Sequence, residues 1–240
     1  MTTEPLLSVS DLRVRFRIGG AMSALAGRRT EIEAVAGVGF TLERGQTLAL
    51  VGESGSGKTT LARAVDGLQA VAGGSIRFEG RELRDLTKAE WKPLRRKMSM
   101  MFQDPVGSLS PRLSVRSLLA EPFAIHGLSG RGLDAEVERL LALVGLPRDF
   151  AERYPHQLSG GQAQRVGVAR AVALDPVLII ADEPTAGLDV SIQGEVLNLL
   201  NDLRDRMGLS MLIITHNLHV VRQIADRMAV MYLGRFVEEG

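Results

Sequence analysis

Residues 52–59 read Gly-Glu-Ser-Gly-Ser-Gly-Lys-Thr, with the apolar run 47–51 before them and a stretch of helical character, Thr60-Leu61-Ala62-Arg63-Ala64-Val65, after them. A strand, a glycine-rich bend of the form G-x-x-x-x-G-K-[ST] and a helix in that order leave few folds open. The glycines let the backbone curl so that successive amide N–H groups point inward, a concavity that suits phosphate oxygens. Lys58 adds a point charge, Thr59 a hydroxyl suited to Mg²⁺, and the helix N-terminus behind them favours anions. A plain glycine-rich turn is the bland alternative, and the flanking strand and helix tell against it. The lysine also stands out in composition: 25 of the 29 basic residues are Arg, and only Lys58, Lys88, Lys92 and Lys97 are Lys.

The rest of the chain agrees with an α/β fold. Short runs rich in Val, Ile and Leu alternate with longer segments of helical spacing, the pattern of a largely parallel sheet. Strands are expected at 7–16, 35–42, 47–51, 75–78, 98–102, 177–181, 211–214, 228–232 and 235–238, the first two antiparallel and the last two a terminal hairpin. Helical spacing is clearest in Leu133, Val137, Leu140, Leu141 and Val144, and again in Ile192, Val196, Leu199, Leu200, Leu203 and Met207. From 106 to 153 there is helical spacing and no strand pattern, which predicts a helical subdomain inserted into the core. Residues 19–29 predict a surface loop between two strands.

Composition excludes several function classes. With 29 basic against 28 acidic residues the net charge is +1, which gives no bulk attraction to nucleic acid or anionic lipid. No cysteine is present, which removes disulfides, thiolate metal sites and cysteine nucleophiles. The longest apolar run, 228–233, is far short of the roughly 20 residues of a membrane-spanning helix. No secretory signal is apparent, so the expected location is cytoplasmic.

Two further segments carry chemistry. The apolar run Val177-Leu178-Ile179-Ile180-Ala181 ends in Asp182-Glu183, which places carboxylates at the C-terminal edge of a strand, where open α/β sheets bind ligands. There Asp182 can hold a metal shell and Glu183 can orient or deprotonate an attacking water; a helix cap or solvated turn is the alternative. At Leu158-Ser159-Gly160-Gly161-Gln162 a helix begins, with Ser159 and Gln162 at capping-box spacing. The glycines and the hydroxyl could equally present donors to an anion. Local physics leaves both readings open.

These segments, with Gln103 in Met101-Phe102-Gln103-Asp104, Gly187-Leu188-Asp189 and His216 after Thr215, follow the order and spacing of an ATP-binding-cassette ATPase, and the resemblance spans essentially the whole chain. It implies a P-loop NTPase core with a mostly parallel sheet, an N-terminal antiparallel β subdomain and an inserted helical subdomain: residues 1–105 and 154–240 as core, 106–153 as the helical insert. It implies ATP and Mg²⁺ as cofactors. Gly52, Ser54, Gly55, Ser56, Gly57, Lys58, Thr59 and Thr60 would hold one ATP, and Ser159, Gly160, Gly161 and Gln162 would cap the γ-phosphate bound to the opposite subunit of a head-to-tail dimer. Glu183 resembles the catalytic base, His216 the switch histidine, and Asp189 the residue that couples the two sites. Gln103 matches the glutamine that approaches Mg²⁺ and water, beside Thr59 and Asp182 as metal residues, and Phe16 sits near the position of the adenine-stacking aromatic.

Finer likeness, in Phe102-Gln103-Asp104-Pro105, Ser108-Leu109-Ser110-Pro111-Arg112, Glu121-Pro122 and Leu188-Asp189-Val190-Ser191-Ile192-Gln193, is to the cassettes of bacterial oligopeptide, dipeptide and nickel importers. That likeness implies transmembrane permease subunits, a second cassette and an extracytoplasmic solute-binding protein as partners. It also implies a peripheral place on the cytoplasmic membrane face, peptide import as the task, and no nucleic acid. The rival is a soluble, non-transport cassette acting on ribosomes or DNA.

Overall fold

The computed structural model describes residues 4–18, 30–102, 104, 107–128, 130 and 132–240; the loop expected at 19–29 lies outside them. In chain order the elements are β1 (Leu7–Ile18), β2 (Thr30–Leu42), β3 (Thr47–Val51), α1 (Lys58–Val65), β4 (Gly73–Phe78), β5 (Arg81–Glu82), α2 (Lys88–Lys97), β6 (Met98–Met101) and α3 (Val115–Ile125). There follow α4 (Leu133–Leu143), α5 (Gly160–Ala171), β7 (Leu178–Asp182), α6 (Val190–Met207), β8 (Ser210–Thr215), α7 (Leu218–Ile224), β9 (Arg227–Tyr232) and β10 (Arg235–Glu239). They fall into two compact units, Met1–Leu86 with Ile214–Gly240, and Thr87–Ile213.

In the first unit, four strands form an antiparallel sheet in the order β2-β1-β4-β5. The outer part of β2 is longer than its apolar run implies. Glu31 and Glu33 hide the alternation, yet they pair across the strands with Arg17 and Arg15 at 3.3 and 3.2 Å, with Ile32 opposite Phe16 between them. Opposite charges across a strand pair replace apolar burial there. The two-residue β5 is held by side chain to backbone bonds rather than by pattern, since Glu82 accepts from the Ser75 hydroxyl and from the backbone N–H groups of Ile76 and Arg84. Burial alone would raise the Glu82 pKa, but those bonds outweigh it and hold the carboxyl below its ordinary range.

The same unit carries the run β10-β9-β3. Here β3 and β9 are parallel, and β9 and β10 form the expected hairpin. Every residue of β3 is buried, so it reads as one apolar run with no alternation, as strands covered on both faces do.

In the second unit β6 and β7 are parallel and β8 lies beside β7. All of β7 and β8 is buried, Asp182 included. Helix α2 lacks a strong apolar stripe and starts instead on a capping box, with Thr87 and Glu90 each accepting from the other's backbone N–H. Between 107 and 153 the described residues form helices and turns only. Val115, Leu118, Leu119, Phe123, Val137, Leu140, Leu141 and Phe150 make their buried side.

Candidate functional site

The glycine-rich bend takes its shape from contacts only glycine permits. Gly52 and Gly57 have φ of 149° and 109°. A Cβ on Gly52 would lie 2.1 Å from the Met231 carbonyl oxygen, and one on Gly57 would lie 2.2 Å from that of Ala34. The bend is therefore wedged between β2 and β9. The hairpin turn after β9 completes the brace: the Gly234 N–H donates to the Ser56 carbonyl at 2.9 Å, and the Gly234 carbonyl accepts from Ala36 N–H at 2.8 Å. Sequence reasoning gives the terminal hairpin but not this task for it; the signal is Leu233-Gly234, two residues at positive φ that close a two-residue turn.

Inside the bend, Lys58 is 7% exposed. Its Nζ donates to the carbonyls of Gly52 at 2.8 Å and Glu53 at 2.7 Å, and to Ser56 Oγ at 3.2 Å. The ammonium is thus anchored within the loop it serves. Helix α1 begins at Lys58 without any side-chain cap, Gly57 supplying only backbone. The backbone N–H groups of its first turn therefore meet no side-chain cap, and a helix N-terminus of that kind attracts an anion. Thr59 and Thr60 stand half-buried on that first turn.

In the second unit, Asp182 closes β7 at 3% exposure and Glu183 opens the turn that follows. Glu183 has φ of 51°, a left-handed conformation that costs a residue other than glycine about 1–3 kcal/mol and persists only where its surroundings dictate it. Two bonds do so here. The Ala186 N–H donates to the Glu183 carbonyl at 3.0 Å, and the buried side chain of Gln164, reaching from α5, donates through Nε2 to the Pro184 carbonyl. No sequence pattern singles out Gln164; its burial amid a helix is the sign of a task.

Helix α5 carries the glycine pair. Ser159 caps it: its hydroxyl accepts from Gln162 N–H at 3.3 Å while Gln162 Oε1 accepts from Ser159 N–H at 3.0 Å. The capping reading of the pentapeptide is therefore realised. It does not exhaust the group, because a hydroxyl that accepts can still donate its proton, and Ser159 and Gly160 are exposed. The glycines differ: a Cβ on Gly161 would meet Ile192 Cγ2 at 2.8 Å, whereas one on Gly160 would only touch Leu188 at 3.5 Å. Gly161 is thus a close-packing position against α6.

Asp189 is exposed and caps α6, its Oδ1 accepting from Ile192 N–H at 3.0 Å. His216 is exposed directly after β8, and the next residue, Asn217, caps α7. Phe16 is 38% exposed on β1 opposite Ile32, two strand positions from the Ala34 that touches the phosphate-type bend. Gln103 lies outside the described residues.

Comparison with known proteins bears on these features. The family model described as ABC transporter matches residues 35–186. The oligopeptide transport ATP-binding protein OppF of Haemophilus influenzae is 45% identical over 239 residues, covering 99% of this chain and 72% of its own. The oligopeptide transport ATP-binding protein AppF of Bacillus subtilis is 46% identical over 238 residues, covering 98% and 71%. Among solved structures, the dimeric post-hydrolysis state of the ATP-binding cassette MJ0796, bound to ADP and Pi, superposes with a TM-score of 0.84 at 27% identity, covering 98% of this chain and 97% of its own.

Proposed function

Because this chain belongs to the ABC transporter family, and is by that membership an ATP-binding ATPase, we propose that it powers peptide import through separate transmembrane subunits. The observation that carries the reading is the phosphate bend, with its uncapped helix start, its wedged glycines and the anchored ammonium of Lys58. Relatives named for oligopeptide transport support the substrate class, and they tell against the alternative of a soluble cassette acting on ribosomes or DNA. Among the described residues no helix is long and apolar enough to cross a membrane. In the proposed complex the chain sits on the cytoplasmic face of permease subunits beside a second cassette, with an extracytoplasmic solute-binding protein and no nucleic acid. The region beside Gln103 with the helices between Ser114 and Val144 is the proposed docking surface for the permease.

The backbone amides of residues 52–60 and the Lys58 ammonium would hold the phosphates of ATP, with the Phe16 ring against adenine. Hydrolysis needs an activated water and stabilisation of charge on the departing phosphate, with no covalent intermediate. Glu183 would take the proton from that water, and the backbone that fixes its strained conformation fixes its aim. His216 would contact the γ-phosphate. Ser159, Gly160, Gly161 and Gln162 would present donors to the nucleotide of the opposite subunit, and Asp189 would relay between the two sites.

Mg²⁺ suits the donors on offer. Asp182 and Thr59 would provide the hard oxygens it prefers, and Gln103 would provide a third. No group of three or more His, Cys, Asp or Glu among the described residues could hold a metal by itself. That fits an ion which usually takes one or two protein oxygens and completes its shell with phosphate and water. When bound, it would neutralise phosphate charge.

The test is Glu183→Gln. Turnover should fall by about 10²-fold or more, the range of general base catalysis, while ATP remains bound and the dimer persists in size-exclusion chromatography. Unchanged turnover would refute the role of Glu183.

A further inference from the structure

Gln164 is the buried polar side chain that the proposed chemistry leaves unused. It is wholly buried in α5, five residues after the Ser159 cap. Its Nε2 donates to the Pro184 carbonyl, and its Oε1 has no hydrogen-bond partner among the described residues. The orientation is fixed by chemistry, since the reverse would set two acceptor oxygens against each other. A buried acceptor left unmatched is a stability penalty, and an apolar side chain of the same size would avoid it. Packing alone does not explain a glutamine here.

The position of its single bond does. Pro184 follows Glu183, whose left-handed backbone needs support from outside the turn. The support comes from the helix whose N-terminus carries Ser159 and Gly160. The same helix end packs through Gly161 against Ile192, next to the Asp189 cap. One rigid element therefore joins the donor-bearing helix start to the turn that aims the carboxylate.

Building on the functional reading above, we infer that Gln164 is a positioning residue that couples the two ATP sites of the dimer within one chain. A nucleotide engaged by the Ser159 end of α5 in one site fixes the helix. The helix, through the Gln164 amide, then fixes the Pro184 carbonyl and hence the aim of Glu183 on the chain's own nucleotide. Loss of the amide donor leaves ATP binding intact and misaims the base. Turnover falls, and coupling between the two sites, read as the Hill coefficient of rate against ATP concentration, falls with it.

The experiment compares wild type, Gln164→Leu, Gln164→Met and Glu183→Gln, each as the full chain with its native partner subunits, by steady-state MgATP hydrolysis, fluorescent ATP-analogue binding and thermal unfolding. For Gln164→Leu the expected result is a tenfold or greater fall in kcat, with KM and analogue Kd within twofold of wild type, a Hill coefficient moved toward 1, and a melting temperature lowered by no more than the loss of one hydrogen bond, about 2–4 °C. Gln164→Met, unbranched and flexible, should show the same split and guards against a packing failure of the branched side chain. Wild-type kcat and Hill coefficient in whichever of the two variants folds would overturn the coupling, as would a loss confined to melting temperature or to the fraction of active protein. If Gln164→Leu is normal while Glu183→Gln is inactive, only the coupling falls. If Glu183→Gln is also active, the assignment of the base falls and takes the coupling with it.

Discussion

Helix α1 starts after Gly57 with no side-chain cap, whereas α5 starts after Ser159 with both halves of a capping box in place. The first follows a glycine-rich run and the second opens on two glycines of its own, and both are proposed to face phosphate. The first has no side-chain cap and anchors a lysine beside its backbone N–H groups. The second has spent the Gln162 N–H and the Ser159 N–H on its own cap, and retains the Ser159 hydroxyl proton and the amides of its two glycines. An uncapped start depends more on a ligand for its hydrogen bonds than a start whose capping box already satisfies two N–H groups. The difference fits a division in which α1 binds nucleotide permanently and α5 engages it only when a partner arrives.

The largest effects should come from the first start. Gly57→Ala drives a Cβ into the Ala34 carbonyl and demands φ of 109° from alanine. The left-handed conformation costs about 1–2 kcal/mol and the overpacking about 1–3 kcal/mol. Melting should fall by roughly 5–15 °C for a domain of this size, and calorimetry would measure it. A variant that melts like wild type would mean the bend is not wedged.

Lys58→Ala comes next. It removes a charged donor, a class worth about 1.5–3 kcal/mol, so ATP affinity should fall about 10- to 100-fold. Isothermal titration reads this directly, and wild-type affinity would leave the first start with nothing to distinguish it from the second.

At Gly160 the comparison turns on space. Alanine there makes only an ordinary contact with Leu188, and exposed substitutions of this kind usually change stability by about 0.5 kcal/mol or less. If the Gly160 amide approaches a phosphate, the methyl should still cut turnover about tenfold, or about 1.4 kcal/mol. Equal turnover and equal stability would return the glycine to a plain helix start.

How much of this is legible in the sequence differs between the two starts for a physical reason. The run at 52–59 is defined by residue types whose properties are local, glycine conformational freedom and lysine charge, so its pattern is readable without a fold. β3 is equally plain, because burial on both faces removes polar residues from it. What stays hidden depends on neighbours far along the chain: Met231 and Gly234 bracing the bend, Gly161 accommodating Ile192, and Gln164 holding Pro184. The extension of β2 is hidden for a related cause, since Glu31 and Glu33 look like loop until Arg15 and Arg17 stand opposite them. The helix α2 could have been found from Thr87 and Glu90, whose spacing is itself a start signal.

Ser159 separates capping from ligand binding most finely. Ser159→Ala removes the acceptor for the Gln162 N–H and should destabilise the helix by about 1 kcal/mol, a shift of roughly 2–4 °C in melting. On its own that change speaks only to the cap. Ser159→Asp supplies an equally good cap acceptor, so melting should stay close to wild type. It also places a negative charge where the phosphate of the opposite subunit is proposed to approach, and it has no hydroxyl proton to give. Turnover in Ser159→Asp should therefore fall below that of Ser159→Ala although its helix is the more stable of the two. If stability and turnover rise and fall together across the pair, the serine is a cap and nothing more, and α5 differs from α1 in purpose as well as in chemistry.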